Sequence, residues 1–292
     1  MKPQARAALL LLAPAMTCIT LFYLLPVLGA AVLSVTDFDL YSIGDASNTR
    51  FIGAANYAKL LQSPLFWRAL FNTLYFTFVS VPLTVIVALA AALLLNARLA
   101  RFKAFFRTIY FAPVVTTIVA VAVVFHYVYH SRIGLLNQFL GLFGIAPVDW
   151  LGDPKWAMPA IILLAVWKGF GYAAVIFLAG LQNVPESLYE AARIDGAGSL
   201  RQFWHITIPE LTPTFVFVGI ITGIGALQIF AEPYVMTPEG GPLNSTLTIV
   251  MLMYREGFRW WNMGYAAAVA FVLFALVVLG TALQAGARRF AR

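Results

Sequence analysis

Long uncharged runs alternate with short polar segments along this chain. Uncharged stretches lie between Arg6 and Asp37, Arg68 and Arg98, Arg107 and Arg132, and Arg259 and Arg288, and two more, about 159–181 and 211–236, are each interrupted by one charge. A helix needs roughly 20 apolar residues to cross the hydrocarbon of a bilayer. The pattern therefore predicts an all-α integral membrane fold with six transmembrane helices and both termini on one side.

The amino-acid composition is typical of a protein in which nearly all residues belong to membrane-spanning segments or to the short loops between them. Of the 292 residues, 62% are hydrophobic and only 11% are charged, whereas soluble domains are roughly half apolar and a quarter charged. We expect a single transmembrane domain over residues 1–292 and no large soluble domain. The first run is longer than the apolar core of a signal peptide, so we expect it to remain as a span.

The distribution of charge sets the predicted orientation. The N-terminus, residues 97–107, residues 182–210 and the C-terminus carry an excess of Lys and Arg over Asp and Glu, while the segments on the other side are balanced. Because short cytoplasmic loops are enriched in basic residues, we expect both termini and the 182–210 segment in the cytoplasm. The net charge of +7 thus reflects membrane topology and contact with lipid, and it does not indicate a nucleic-acid partner.

The 182–210 segment is the most organised polar stretch of the chain. "PESLYEAARI" predicts a short helix that ends at Gly196, because glycine tolerates a left-handed turn. Ser199 and Gln202 match a capping box that would start a second helix, and Pro209 is expected to stop that helix before the fifth span. Two short helices at a glycine corner suit the docking of another protein; an amphipathic connector resting on the lipid headgroups is the alternative.

The sequence of this loop also resembles a known motif. "EAARIDGAGSLRQFWHITIPELTP" is similar to the EAA motif of ATP-binding-cassette importer permeases. "FLAGLQNVPESLYEAA" and "YVMTPEGGPLNSTLTIVMLMYREGF" resemble segments of the maltose-type carbohydrate permeases. The likeness covers roughly residues 70–285. One departure is "TPEGGP", which is a residue longer than the usual T-x-G-G-P and leaves the shape of that outer loop open.

The resemblance implies a function and a set of partners. It implies a permease subunit of an ATP-driven, binding-protein-dependent sugar importer in the bacterial cytoplasmic (inner) membrane. The partners would be a second homologous permease, two copies of an ATP-binding subunit and an extracytoplasmic solute-binding protein. The 182–210 segment would be the coupling loop, and the ATPase contacts would be Glu190, Ala191, Ala192, Asp195, Gly196 and Ala197.

The sequence itself indicates that the energy must come from another subunit. No G-x-x-x-x-G-K-[ST] motif occurs in it, so the chain lacks the loop that cradles ATP phosphates. We therefore expect a non-catalytic transport subunit without a cofactor of its own, with ATP and Mg bound by the partner ATPase. His126 and His130 lie four residues apart but without the Glu of H-E-x-x-H, so no metal site is predicted.

Two charges inside the membrane mark a candidate substrate path. Lys168 and Glu232 interrupt the fourth and fifth runs, and intramembrane charges are costly and often functional. Gln228 lies four residues before Glu232, so a continuous helix would place both on one face, while Trp167 and Tyr172 lie beside Lys168. We expect these five residues to line a sugar path, or Lys168 and Glu232 to form a structural salt bridge.

Several functions compete with sugar import. A glycerol phosphate would favour a cationic lining, which only Lys168 offers, so a neutral sugar is preferred over glycerol phosphates or polyols. A secondary carrier would need ion-coupling acids at mid-membrane, where only Glu232 is available. A membrane enzyme would need paired carboxylates or histidines at one interface, and none are so arranged in the sequence. Pro113, near the start of the third run, is expected to bend that span.

Overall fold

The computed structural model describes residues 3–97 and 102–290 of the chain. Arg98 and Arg101, which contribute to the predicted orientation, lie outside the described residues. The described part of the chain is helical, and its extended pairing is limited to an isolated antiparallel bridge between Thr36 and Phe51. Internal contacts divide the chain into two units, 1–67 with 250–275 and 68–249 with 276–292.

The helices agree with the predicted spans, with one difference. Within residues 3–97 and 102–290, five helices are long and apolar enough to cross a membrane: Leu10–Ser34, Pro64–Asn96, Ala157–Gln182, Thr212–Met236 and Met263–Gln284. The third predicted span is instead a pair of helices, Lys103–Val115 and Ile118–Val128, bent by 99° at the break between them. Counting this pair as one broken span gives six. The bend follows Pro113, whose ring disfavours a regular helix.

The first unit combines the N-terminal span with the short helices that follow it. Its helices are Pro3–Ile19, a π-helical turn Thr20–Leu24, Leu25–Ser34, Leu40–Gly44, Ala46–Asn48 and Ala55–Gln62. Asp39 caps Leu40–Gly44, because its carboxylate accepts the backbone N–H groups of Tyr41 and Ser42. The buried Asn56 amide donates to the carbonyls of Ser34 (3.0 Å) and Thr36 (2.8 Å) and so fixes the end of the first span.

Three helices run across the boundary between the units: Pro64–Asn96, Ile249–Tyr254, which continues as the π-helical turn Arg255–Arg259, and Met263–Phe290. The second unit contains the other helices. They are Lys103–Val115, Ile118–Val128, Leu135–Gly141, Ala157–Gln182, Glu186–Ile194, Ser199–Gln202, Phe203–Thr207 (π), Ile208–Glu210, Thr212–Leu227 and Ala231–Met236, with 3₁₀ turns at Pro238–Gly240 and Pro242–Asn244.

The Ala157–Gln182 helix lies at the centre of the second unit. Its side chains Ile161, Leu164 and Phe177 are fully buried, and they belong to two apolar clusters with residues of the second, third and fifth spans. Gly171 allows the central helix and the Lys103–Val115 helix to lie in direct backbone contact, because a Cβ atom at this position would overlap the backbone carbonyl of Tyr110. Small residues therefore allow the first half of the broken span to pack backbone to backbone on the central helix.

Candidate functional site

A cavity of about 460 Å³ lies among the second, fourth and fifth spans. The second span contributes Phe76, Ser80 and Thr84, which lie four residues apart and therefore share one helical face. Gly169 of the central helix leaves room opposite them, since nothing lies within 4 Å of the position its Cβ would take. Thr222 of the fifth span adds a third hydroxyl group to the wall.

A break in the fifth span completes the cavity wall. The helix ends at Leu227 and restarts at Ala231, and Gln228, Phe230 and Glu232 of this stretch all line the cavity. The backbone leaves the helical conformation at Phe230 (φ −142°, ψ −53°). The carbonyl group of Ile229, which the break releases, accepts a hydrogen bond from the Thr248 hydroxyl at 3.0 Å.

The break contradicts the predicted reason why Gln228 and Glu232 lie close together, although both residues line the cavity. The expectation that Gln228 and Glu232 share one face of a continuous helix is wrong, because three non-helical residues separate Leu227 from Ala231. Both side chains nevertheless line the same cavity. Unwound backbone of this kind is tolerated at membrane depth where it is buried in protein or lines a cavity.

The second intramembrane charge lies elsewhere. The Lys168 ammonium donates to the carbonyl oxygens of Pro113 (2.9 Å) and Thr116 (2.8 Å), at the bend of the third span. Within the described residues no ion pair joins Lys168 to Glu232, so the predicted salt bridge is wrong. Lys168 instead supplies donors to carbonyl groups that the broken helix leaves without N–H partners.

The aromatic neighbours of Lys168 are also separate from the cavity lining that the described residues form. Trp167 packs on Phe125, with ring centroids 5.0 Å apart. Tyr172 is 44% exposed on the surface of the central helix. The structure therefore brings Gln228 and Glu232 together and leaves Trp167, Lys168 and Tyr172 outside the cavity wall.

Sequence reasoning missed the hydroxyl side of the cavity. Ser80 and Thr84 are buried polar residues in an apolar helix, at a spacing of four residues that also includes Phe76. That spacing was the signal, because polar groups on one face of a span point to a cavity or to another helix. Phe230 gave no signal of its own, since an aromatic residue is common in an apolar span.

The 182–210 loop has the predicted two-helix form. Its first helix is Glu186–Ile194, Gly196 turns the chain with φ +75°, and a second helical stretch begins at Ser199. The Tyr189 hydroxyl and the Thr207 hydroxyl, 2.9 Å apart, link the two helical stretches. The loop is therefore a fixed corner rather than an extended tether.

One local prediction for this loop is wrong. The Ser199 side chain caps no helix; the N-cap is Gly198, and the Gln202 amide donates to the Ala197 carbonyl at 2.7 Å. The second helical stretch continues through a π-helical turn over Phe203–Thr207 into Ile208–Glu210. It ends one residue after Pro209, and a turn at Leu211 separates it from the fifth span, which begins at Thr212.

The motif residues of the loop lie at its surface. Glu190, Ala191, Asp195 and Gly196 are exposed, and Ala192 and Ala197 are half-buried. A notch of about 280 Å³ lies beside them, lined by Ala192, Asp195, Ala197, Arg201, Gln202, His205 and Ile206. Ile194 is 86% exposed and Leu200 is 72% exposed, so the corner presents apolar side chains to its surroundings.

Residues 61–292 match the family model of the binding-protein-dependent transport system inner membrane component. The chain belongs to this family. Among curated relatives, this permease is 40% identical to the lactose transport system permease protein LacF of Rhizobium radiobacter, over 96% of this chain and 93% of the relative. It is 35% identical to the trehalose/maltose transport system permease protein MalF of Thermococcus litoralis, over 99% and 96% of the two chains.

The fold of the permease also matches a solved transporter. A chain in the crystal structure of a bacterial alginate ABC transporter, in complex with an alginate pentasaccharide-bound periplasmic protein, aligns with a TM-score of 0.82. The alignment covers 99% of this permease and 96% of that chain at 22% sequence identity. The permease is therefore a multi-pass membrane protein with the fold of this transporter class.

Proposed function

We propose that this permease forms half of the translocation path of an ATP-driven importer for a neutral sugar or oligosaccharide. The observation that carries the proposal is the cavity wall, which combines the hydroxyl groups of Ser80, Thr84 and Thr222 with the rings of Phe76 and Phe230. Hydroxyl groups can exchange hydrogen bonds with a sugar, and ring faces suit its C–H surfaces. The lactose and trehalose/maltose permeases named above support the same substrate class.

The charge of the wall supports a neutral substrate. Among the described residues that line the cavity there is one carboxylate, Glu232, and neither lysine nor arginine. A phosphorylated substrate would be bound most readily by cationic side chains, and Lys168 is engaged at the bend of the third span. The cavity therefore favours a neutral sugar over a glycerol phosphate. Its volume lies within the roughly 300–1,000 Å³ of small-molecule sites.

The partners follow from the same proposal. A second homologous permease would supply the other half of the path, and an extracytoplasmic solute-binding protein would deliver the sugar. Two ATP-binding subunits would bind ATP and Mg and hydrolyse ATP. The termini and the 182–210 loop would lie in the cytoplasm, and residues 1–292 would form one transmembrane domain.

The coupling loop is the proposed contact with the ATPase. Glu190, Ala191, Ala192, Asp195, Gly196 and Ala197 would meet that subunit. Support comes from the exposed corner and its apolar side chains, and from the Tyr189–Thr207 contact that keeps the corner stiff. A stiff contact can transmit the closing motion of an ATPase to the spans, whereas a flexible tether would absorb it.

Uptake by the reconstituted complex tests the substrate class. Vesicles containing the complex would be offered labelled lactose, an arabino-oligosaccharide and glycerol 3-phosphate. We expect uptake of a neutral sugar, and we expect Thr222→Val and Glu232→Gln to reduce it at least several-fold. Thr281→Val is the matched control, because Thr222 and Thr281 each donate to the carbonyl four residues earlier but Thr281 lies outside the cavity lining. Uptake of glycerol 3-phosphate alone would refute the proposal.

A further inference from the structure

The segment between the third and fourth spans carries an apolar surface that the transport cycle does not explain. Residues 133–148, "IGLLNQFLGLFGIAPV", contain no Asp, Glu, Lys or Arg, and charged residues bound them at Arg132 and Asp149. The segment connects spans three and four, so it lies on the side of the membrane opposite to the 182–210 loop. An uncharged stretch of this length outside a span needs an environment other than water.

The structure folds this segment into a helix and a tight turn. The helix is Leu135–Gly141, and the chain reverses at Gly144 with φ +75°. Large apolar side chains project from it: Leu135 is 66% exposed, Phe139 56%, Leu142 81% and Phe143 68%. The rings of Phe139 and Phe143 pack edge to face at 5.3 Å, so the helix and the turn form one continuous apolar surface.

The opposite face of the segment is fixed to the protein. Asn137 is buried, and its amide donates to the carbonyls of Ser131 (2.9 Å) and Val148 (2.8 Å). Its amide oxygen accepts the indole N–H of Trp150 at 2.9 Å. Leu136 packs against the apolar cluster of the second unit. The buried Asn137 and the partly buried Leu136 fix one face of the helix to the protein, so the side chains on the other face are held outward in a defined position.

Length and charge identify what covers this surface. A helix of seven residues is about 10 Å long at 1.5 Å per residue and cannot cross a bilayer. An apolar stretch too short to span belongs either in a protein core or at the membrane interface, and the exposed side chains of this segment exclude the core. Protein docking sites usually surround their apolar centre with a polar rim, whereas the charges here lie only at the two ends of the segment. The helix just before it, Ile118–Val128, is part of an apolar span, so the surface continues from the bilayer.

We infer that the 133–145 segment is a membrane-surface anchor. Phe139, Leu142 and Phe143 insert between the lipid headgroups of the leaflet opposite to the coupling loop. The buried Asn137 ties this anchor to Ser131 and Val148, which flank it in the loop between the third and fourth spans. The anchor thereby fixes the depth at which these two spans leave the membrane.

Collision accessibility of spin labels tests the anchor directly. The complex would be placed in nanodiscs of phosphatidylethanolamine and phosphatidylglycerol, with Cys18→Ser removing the one cysteine of this chain. Single cysteines for the label would replace Leu142, Phe139 and, as the control, the exposed charged Lys155, which lies in the same loop but outside the apolar segment. We expect labels at 142 and 139 to be accessible to oxygen and protected from a water-soluble nickel chelate. The oxygen-to-nickel ratio should be several-fold above that at 155.

Two outcomes would overturn the inference. Access of the nickel chelate to 142 and 139 would mean that the surface faces water. Protection from both oxygen and nickel would mean that another protein, either the second permease or the binding protein, covers it. The control label at 155 gives the ratio of a site in water, and an unfolded segment would show that same ratio at 142 and 139.

Discussion

The lysine at the bend of the third span offers the sharpest prediction. Lys168→Met keeps the length of the side chain but removes the ammonium that donates at 2.9 Å to Pro113 and at 2.8 Å to Thr116. Hydrogen bonds from a charged donor contribute about 1.5–3 kcal/mol each. The Pro113 carbonyl keeps a second donor, the Thr116 hydroxyl at 2.6 Å, so one of the two carbonyl groups stays satisfied. We therefore expect a cost of about 2–4 kcal/mol rather than the sum of both bonds.

Two measurements check this prediction. For a chain of 292 residues, a cost of that size should lower the apparent melting temperature of the permease by about 3–7 °C. Spin labels on Phe106 and Val123, which are exposed on the two halves of the span, should report a broader distance distribution as the 99° bend relaxes. Lys59→Met is the matched control, because Lys59 is exposed and its ammonium lies over the Tyr265 ring at 5.2 Å. That contact is worth only about 0.5–1 kcal/mol.

Two results would contradict the role of Lys168 in supporting the bend. If Lys168→Met keeps its melting temperature and its label distance but loses affinity for sugar, Lys168 contacts substrate and does not support the bend. If both variants lower the melting temperature equally, the two carbonyl contacts contribute nothing specific.

Three further predictions follow from backbone and packing. Gly196→Val should leave membrane insertion intact but uncouple ATP hydrolysis from uptake, because a left-handed φ of +75° costs an L-residue about 1–2 kcal/mol and should distort the corner. Gly171→Ala should lower the melting temperature of the complex, because its Cβ would overlap the Tyr110 carbonyl of the broken span. Asn137→Ala should cost about 2–4 kcal/mol by leaving buried carbonyl groups without donors, and hydrogen exchange over 129–150 should rise.

Each of these has a control from the same chain. Gly198→Val adds the same side chain two residues away at an ordinary backbone φ of −69° and should keep coupling. Gly219→Ala has open space around its Cβ and should be neutral in stability. Gln138→Ala removes an amide next to Asn137 whose hydrogen bond to the Ile133 carbonyl (3.0 Å) is exposed to solvent, so it should raise exchange far less than Asn137→Ala. A control as damaging as its partner would refute the corresponding argument.

The spans could be predicted from sequence, because the length of each uncharged run and the charged residues at its ends define where a helix can cross the membrane. The bend of the third span was predicted from Pro113, but its angle was not, and the carbonyl groups at the bend bond Lys168, 55 residues later in the chain. The break at Gln228–Phe230 was not predicted, because both halves of that span are apolar. Pro233 cannot donate an N–H to the Ile229 carbonyl four residues earlier, and the Thr248 hydroxyl that satisfies Ile229 instead lies 19 residues away. Long-range hydrogen bonds of this kind leave no local pattern.

The candidate site was only partly predictable, because its geometry also depends on hydrogen bonds between residues that are distant in the sequence. Gln228 and Glu232 were identified because polar groups stand out in an apolar run, although the reason given for their proximity was wrong. Lys168 stood out equally, yet its partners are carbonyl groups, which the sequence does not mark. In the coupling loop, the turn at Gly196 follows from one residue and was predicted, while the capping box failed because the helix begins one residue earlier, with Gly198 as its N-cap.

The energy source of uptake is the most direct test of the central claim. The complex purified through this permease would be reconstituted in vesicles, with the binding protein and a labelled neutral sugar outside. Uptake would be compared with ATP and Mg trapped inside, with ADP inside, and with a proton or sodium gradient alone. The account predicts sugar accumulation only with internal ATP. Accumulation driven by an ion gradient without ATP would contradict it and identify a secondary carrier.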